Sequence, residues 1–153
     1  MNTNFTPRGL PQVILKEKEL YTLWQKLHRD FPRVERLGIG QKIENLFLFI
    51  LELTFSSAYL PPEQKIIMLG RTISRLDVLK FFIQLAWENK LVSTEQHIEL
   101  SKNLEEIGRQ LGGWKKGLET KLPPKNDGRN ILVSGRRADD GYRHSTHCRS
   151  GSG

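Results

Sequence analysis

The chain contains a single cysteine, Cys148, among 153 residues. No internal disulfide is possible, and an intracellular, reducing compartment fits that usage. The first residues, MNTNFTPRGLPQ, lack a basic stretch followed by an apolar one, so no signal peptide is expected. Long hydrophobic runs are also missing. The most apolar stretch, LFLFILELTF at 46–55, falls well short of the roughly 20 residues that cross a bilayer, and it carries Glu52. It predicts a buried core helix, a cytoplasmic protein and no membrane partner. There is no Walker loop, no His-Glu-x-x-His, no paired Cys-x-x-Cys and no nucleophile elbow. A di-metal four-helix centre needs two Glu-x-x-His motifs, and the sequence has none. No RNA-reading aromatic motif of the RRM type is present, so sequence-specific base readout has no support. Neither a catalytic residue nor a cofactor is expected.

What is present is positive charge and helical periodicity. Apolar residues make up 37% and charged residues 27%, an ordinary balance for a globular domain with a real core. The net charge is +7. That excess favours an acidic partner such as RNA, DNA, an anionic membrane or an acidic protein.

Four helices are predicted. The first covers 11–29, with Pro11 suited to the first helical position and Leu20, Trp24, Leu27 and Phe31 forming one stripe. Pro32 ends it. The second covers 36–58, with Ile39, Ile43, Leu46, Ile50 and Leu53 in line and Phe47, Leu51 and Phe55 widening the arc. Such a helix is either central in the bundle or meets another subunit. Gly38 and Gly40 allow a close approach or a local kink. The third covers 62–89, opened by Pro62 and Glu63 and striped by Ile66, Leu69, Ile73, Leu76, Ile83 and Trp87. The fourth begins at Ser93, whose hydroxyl pairs with Gln96 in a capping box. Leu100, Leu104, Ile107, Leu111, Trp114 and Leu118 make its heptad-like seam. Gly112 and Gly113 within that seam read either as a helix stop or as close packing against a neighbour. The short connections favour an all-α, antiparallel up-down-up-down four-helix bundle over 11–122. Residues 1–10 read as a flexible N-terminus and 123–153 as a flexible basic tail. From Lys125 onward that tail carries six cations against three carboxylates.

Individual residues offer little chemistry. Glu52 in the apolar run is better explained by a helix edge or an ion pair than by acid catalysis. His97 on the fourth helix reads as a packing residue. His144, His147 and Cys148 cluster in the tail, yet zinc normally takes four ligands and no second pair accompanies them. The basic residues say more as a set. Arg71 and Arg75 are four apart and share a helix face. Lys115 and Lys116 follow Trp114. Lys26, Arg29, Arg33 and Arg36 surround the first turn. An arginine fork matches phosphate or carboxylate, and each neutralised phosphate strengthens salt-dependent binding. For any single residue, a solvated face explains it as well.

One segment carries a resemblance. Residues 76–117, LDVLKFFIQLAWENKLVSTEQHIELSKNLEEIGRQLGGWKKG, resemble the accessory variability determinant (Avd) of diversity-generating retroelements. The most specific part is EIGRQLGGWKK. FPRVERLGIGQKI at 31–43 looks like the start of the second helix in the wider four-helix-bundle family, which includes proteins encoded in ribosomal-RNA intervening sequences. In that segment Leu37 and Ile39 stand where relatives more often have an aromatic and a polar residue. The resemblance spans about 10–123. It implies a homopentameric barrel of bundles with a basic surface and no active site of its own. It also implies binding to the retroelement's reverse transcriptase, to template-region RNA and to cDNA. The partner enzyme would then make mutagenic cDNA. Lys16, Lys26, Arg29, Arg71, Arg75, Arg109, Lys115 and Lys116 are the electrostatic candidates for these contacts. Arg109 has a rival role, a salt bridge to Glu105 or Glu106. The competing readings are a generic bundle of the intervening-sequence type and a helical enzyme or metal protein.

Overall fold

A computed structural model describes residues 11–122. Among the described residues all regular structure is helical. In order the helices are α1 (Val13–Arg29), α2 (Arg33–Leu37), α3 (Ile39–Ser57), α4 (Pro62–Glu88) and α5 (Thr94–Lys121). Four are long and α2 is a turn and a half. The expected tail from 123 onward and the N-terminal segment 1–10 lie outside the described residues.

The predicted stripes become the core. Leu20, Trp24 and Phe31 meet Ile43, Leu46, Phe47 and Ile50 of α3, Leu69, Leu76 and Ile83 of α4, and Leu100, Leu104, Ile107 and Leu111 of α5. Each buried aliphatic side chain contributes roughly 1.5–3 kcal/mol. Trp24 is fully buried, stacked on Phe47 at 6.0 Å and edge-on to Phe31 at 5.4 Å. Trp114, by contrast, is half-buried, with the Lys65 ammonium 5.9 Å from its ring. The pairs joining α1 to α3 are Glu17–Thr54, Tyr21–Glu44 and His28–Glu44. Those joining α4 to α5 include Lys80–Glu105 at 3.2 Å. A Cβ added at Gly108 would sit 3.3 Å from Leu76 Cδ2, so this glycine sets a close approach of α5 to α4.

The structure corrects the sequence reading at two helices and decides a third point that it left open. Helix 1 starts at Val13 rather than Pro11, because Pro11 lies outside the helix and Gln12 occupies its N-cap. The predicted second helix is two helices. Residues 33–37 already form α2 after Pro32, and the chain leaves helical geometry at Gly38 (φ −100°, ψ −104°) before α3 begins. Gly40 then permits a close approach: any side chain there would collide with the His28 imidazole and lie 3.1 Å from the Glu35 carbonyl. Both roles offered for this glycine pair are used, one by each residue. Gly112 and Gly113 do not stop α5, which continues to Lys121, and a Cβ at either would meet nothing within 4 Å.

The turn between α4 and α5 follows the expected capping. The Ser93 amide donates to Gln96 Oε1 at 2.8 Å, and the Gln96 amide donates to Ser93 Oγ at 3.0 Å. The preceding helix closes with a Schellman motif. The Leu91 amide donates to the Ala86 carbonyl and the Lys90 amide to the Trp87 carbonyl. Lys90 holds the left-handed position of that motif at φ 62°, where glycine is usual.

Candidate nucleic-acid interface

Arg71 and Arg75 are brought together by α4. One helical turn separates them, and both are exposed. They border a depression between α3 and α4 with Phe49, Leu53, Ser74 and Val78, enclosing about 400 Å³. The Arg75 guanidinium carbon lies 5.6 Å from the centre of the Phe49 ring. Phe49 remains 40% exposed. Neither arginine forms an ion pair with a described residue. Arg75 also borders an adjoining depression with Lys42 and Glu52. The arrangement offers two planar cationic forks above an aromatic and aliphatic floor.

The other candidates are dispersed. Arg109 pairs with Glu106 on its own helix, which realises the rival role foreseen for it. The Glu106 carboxyl is held below its ordinary value by hydrogen bonds from Gln110 and Arg109 and by the charges of Arg109 and Lys16. Arg109 is thus bonded to that carboxylate, whereas Lys16 acts on it only by its charge from a distance. Lys26 and Arg29 lie exposed on α1, in its last turn, where cations complement the helix dipole. Lys115 bonds Glu119 at 2.7 Å and its stem lies close to Gly70. Lys116 is exposed. Exposed pairs of this kind contribute little to stability, about 0–1 kcal/mol. They do reduce the charge available to an external anion.

A family model described as bAvd-like matches residues 13–118. The chain belongs to the bAvd-like family. The match covers the four long helices almost completely, and the EIGRQLGGWKK signature lies inside α5. No curated protein and no solved structure gives a significant match to the chain. No helix among the described residues is long and apolar enough to cross a membrane.

Two polar features of this bAvd-like chain escaped the sequence reading. Glu17 is buried among apolar residues, with one oxygen accepting from Thr54 Oγ1 at 2.8 Å and the other unpartnered. Burial pushes its carboxyl up to about 8, opposed by the Thr54 bond. The available signal was spacing: Val13, Glu17, Leu20 and Trp24 step by four, three and four along one stripe. His28 is the second feature. Its Nδ1 lies 3.2 Å from Glu44 Oε1 and its Nε2 3.1 Å from the Arg36 carbonyl, and its ring stacks on Trp24. The Tyr21 hydroxyl donates to the other Glu44 oxygen at 2.7 Å. These contacts tie α1 to the α2–α3 corner.

Glu52, by contrast, is exposed on α3. His97 is half-buried and stacks on Trp87 at 4.6 Å, a packing role. Among the described residues no cluster of three metal-ligating side chains occurs. His144, His147 and Cys148 lie outside those residues.

Proposed function

We propose that this bAvd-like protein is a non-enzymatic accessory protein of a diversity-generating retroelement. It acts in the cytoplasm, binding the element's reverse transcriptase and template-region RNA, and the cDNA product, to support mutagenic cDNA synthesis. The family match over 13–118 carries this reading. The net charge of +7 supports a polyanionic partner. The eight cations, Lys16, Lys26, Arg29, Arg71, Arg75, Arg109, Lys115 and Lys116, remain the proposed contacts. Arg71 and Arg75 lead because they share a concave surface and have no described ion-pair partner.

The active form proposed is a homopentameric barrel of antiparallel up-down-up-down bundles. The sense of the side-chain pairs supports that topology. Along α1, Glu17 meets Thr54 while the later His28 meets the earlier Glu44. Exposed Leu48, Phe55, Tyr59, Ile67 and Phe81 supply apolar surface for neighbouring copies. Co-expression with the neighbouring reverse transcriptase and template-region RNA tests the proposal, read by the mass and composition of the purified complex. The expected product contains five copies of this chain, the polymerase and RNA. A folded bundle that ignores both partners would point instead to a generic bundle of the intervening-sequence type.

A further inference from the structure

We propose that the α3–α4 groove at Phe49, Arg71 and Arg75 is a binding site for an unpaired nucleotide of a single-stranded nucleic acid. Arg71 receives the phosphate, and the base face stacks on the Arg75–Phe49 pair. This rests on the nucleic-acid part of the function proposed above and narrows it to unpaired strands.

Charge alone does not distinguish a duplex from a single strand. A stacking surface does, because a duplex keeps its base faces against one another. Single-strand binders combine a cationic groove with an aromatic or guanidinium plane on which a splayed base lies. The groove supplies both parts. The Arg75 guanidinium carbon lies over the Phe49 ring, 5.6 Å from its centre and within cation–π range, so the groove pairs a planar cation with a partly exposed ring against which a base can lie. Arg71 stands one turn away on the same helix, about 6 Å along the axis. That separation is on the scale between a base and the phosphate of a neighbouring nucleotide in an extended strand. Ser74 lies on the same wall and offers a hydroxyl to sugar or phosphate. Leu53 and Val78 make the remainder apolar.

The size agrees. About 400 Å³ falls at the lower end of small-molecule sites, which begin near ~300 Å³. An acidic protein segment could use the two forks, but its carboxylates would gain nothing from the 40% of Phe49 that stays exposed. Glu52 borders the adjoining depression, where Lys42 and Arg75 outnumber it.

The test uses the full chain, with fluorescence anisotropy on a labelled unstructured RNA and on a blunt RNA duplex of equal length at one moderate salt concentration. The wild type should favour the unpaired RNA. Phe49→Leu keeps an apolar side chain but removes the ring. It should weaken unpaired RNA about 5- to 50-fold and leave the duplex unchanged. Arg75→Lys keeps the charge, loses the plane and should do the same. Arg71→Gln with Arg75→Gln should weaken both RNAs. Circular dichroism confirms that each variant is folded.

Unchanged preference in both Phe49→Leu and Arg75→Lys, with the double Gln variant still weakened, overturns the stacking site. The nucleic-acid reading then survives as pure charge. Failure of the wild type to bind either RNA removes both. If the double Gln variant binds RNA normally but loses the reverse transcriptase in a pull-down, the groove belongs to a protein partner and the inference falls.

Discussion

Replacing Glu17 with Gln should remove most of the fall in this bundle's stability between about pH 5 and pH 8. In the folded chain the carboxyl is pushed up to about 8 from 4.5 because it is buried among apolar residues. The unfolded chain releases that proton near the ordinary value. Between the two values the folded state holds one proton more than the unfolded state. Stability therefore falls as pH rises, at up to about 1.4 kcal/mol per pH unit for one group. The contribution is complete below about 4.5 and lost as pH rises through about 8. Across the window it reaches several kcal/mol, a large share of the roughly 5–15 kcal/mol that holds a domain folded.

Urea unfolding followed by helical circular dichroism at half-unit steps from pH 5 to pH 8.5 measures this. Gln is nearly isosteric and can accept from the Thr54 hydroxyl as the carboxyl does. The variant should match the wild type near pH 5 and exceed it by a few kcal/mol near pH 8. Every other titrating group is common to the two proteins, so subtracting their curves isolates residue 17. Parallel curves across the whole range would refute the reasoning. They would mean that Glu17 reaches water in solution or meets a counter-charge when the chain assembles.

Further outcomes follow from the same packing. Trp24→Ala should cost about 3–5 kcal/mol, whereas half-buried Trp114→Ala should cost clearly less, and equal midpoint shifts in urea would contradict their different burial. Lys90→Gly should stabilise by roughly 0.5–1 kcal/mol, because the side chain occupies a left-handed position at φ 62°, and a thermal melt reads the gain. Gly40→Ala should destabilise by about 1–3 kcal/mol as its methyl displaces His28, and loss of the His28–Glu44 contact is visible in the imidazole NMR signals. Arg71→Gln should lower the slope of log affinity against log salt for unpaired RNA by about 0.7, the share of one phosphate, while Arg109→Gln, whose charge Glu106 already balances, should lower it less.

The four long helices were legible because their apolar stripes recur at helical spacing, and Pro62 and the Ser93–Gln96 capping box mark the starts of α4 and α5. The break at Gly38 was not. Apolar residues continue on both sides of it, at Leu37 and Ile39, so periodicity carries the eye through the interruption. Glu17 was hidden by its neighbours Lys16 and Lys18, which mark the segment as a solvated face unless the stripe is traced back to Val13. The arginine pair was found from spacing alone. Its aromatic floor was not, because a helical wheel shows that Phe49 adjoins the apolar arc but not how much of that arc its neighbours cover. Burial of a wide arc is a property of packing, and only the position of α4 decides that Phe49 stays 40% exposed.

Helical geometry separates two uses of α3's outer surface. Leu48 and Phe55 are seven residues apart on α3 and share one strip, and Tyr59, just past the helix end, extends it through its ring, edge-on to Phe55 at 5.3 Å. Phe49 is one residue from Leu48 and is therefore rotated about 100° from that strip, toward Arg75. Leu48 lines one depression with Phe49 and Arg75, so a docked copy spares Phe49 only if it centres on Phe55 and Tyr59. The proposed assembly and the proposed nucleotide site are compatible only under that division. It ties them to opposite mutational signatures: Phe55→Glu should disrupt the oligomer while its folded subunits retain the preference for unpaired RNA, and Phe49→Leu should abolish that preference within an intact oligomer. If Phe49→Leu instead disrupted the oligomer, the aromatic floor would belong to the subunit interface and the groove would lose its nucleotide.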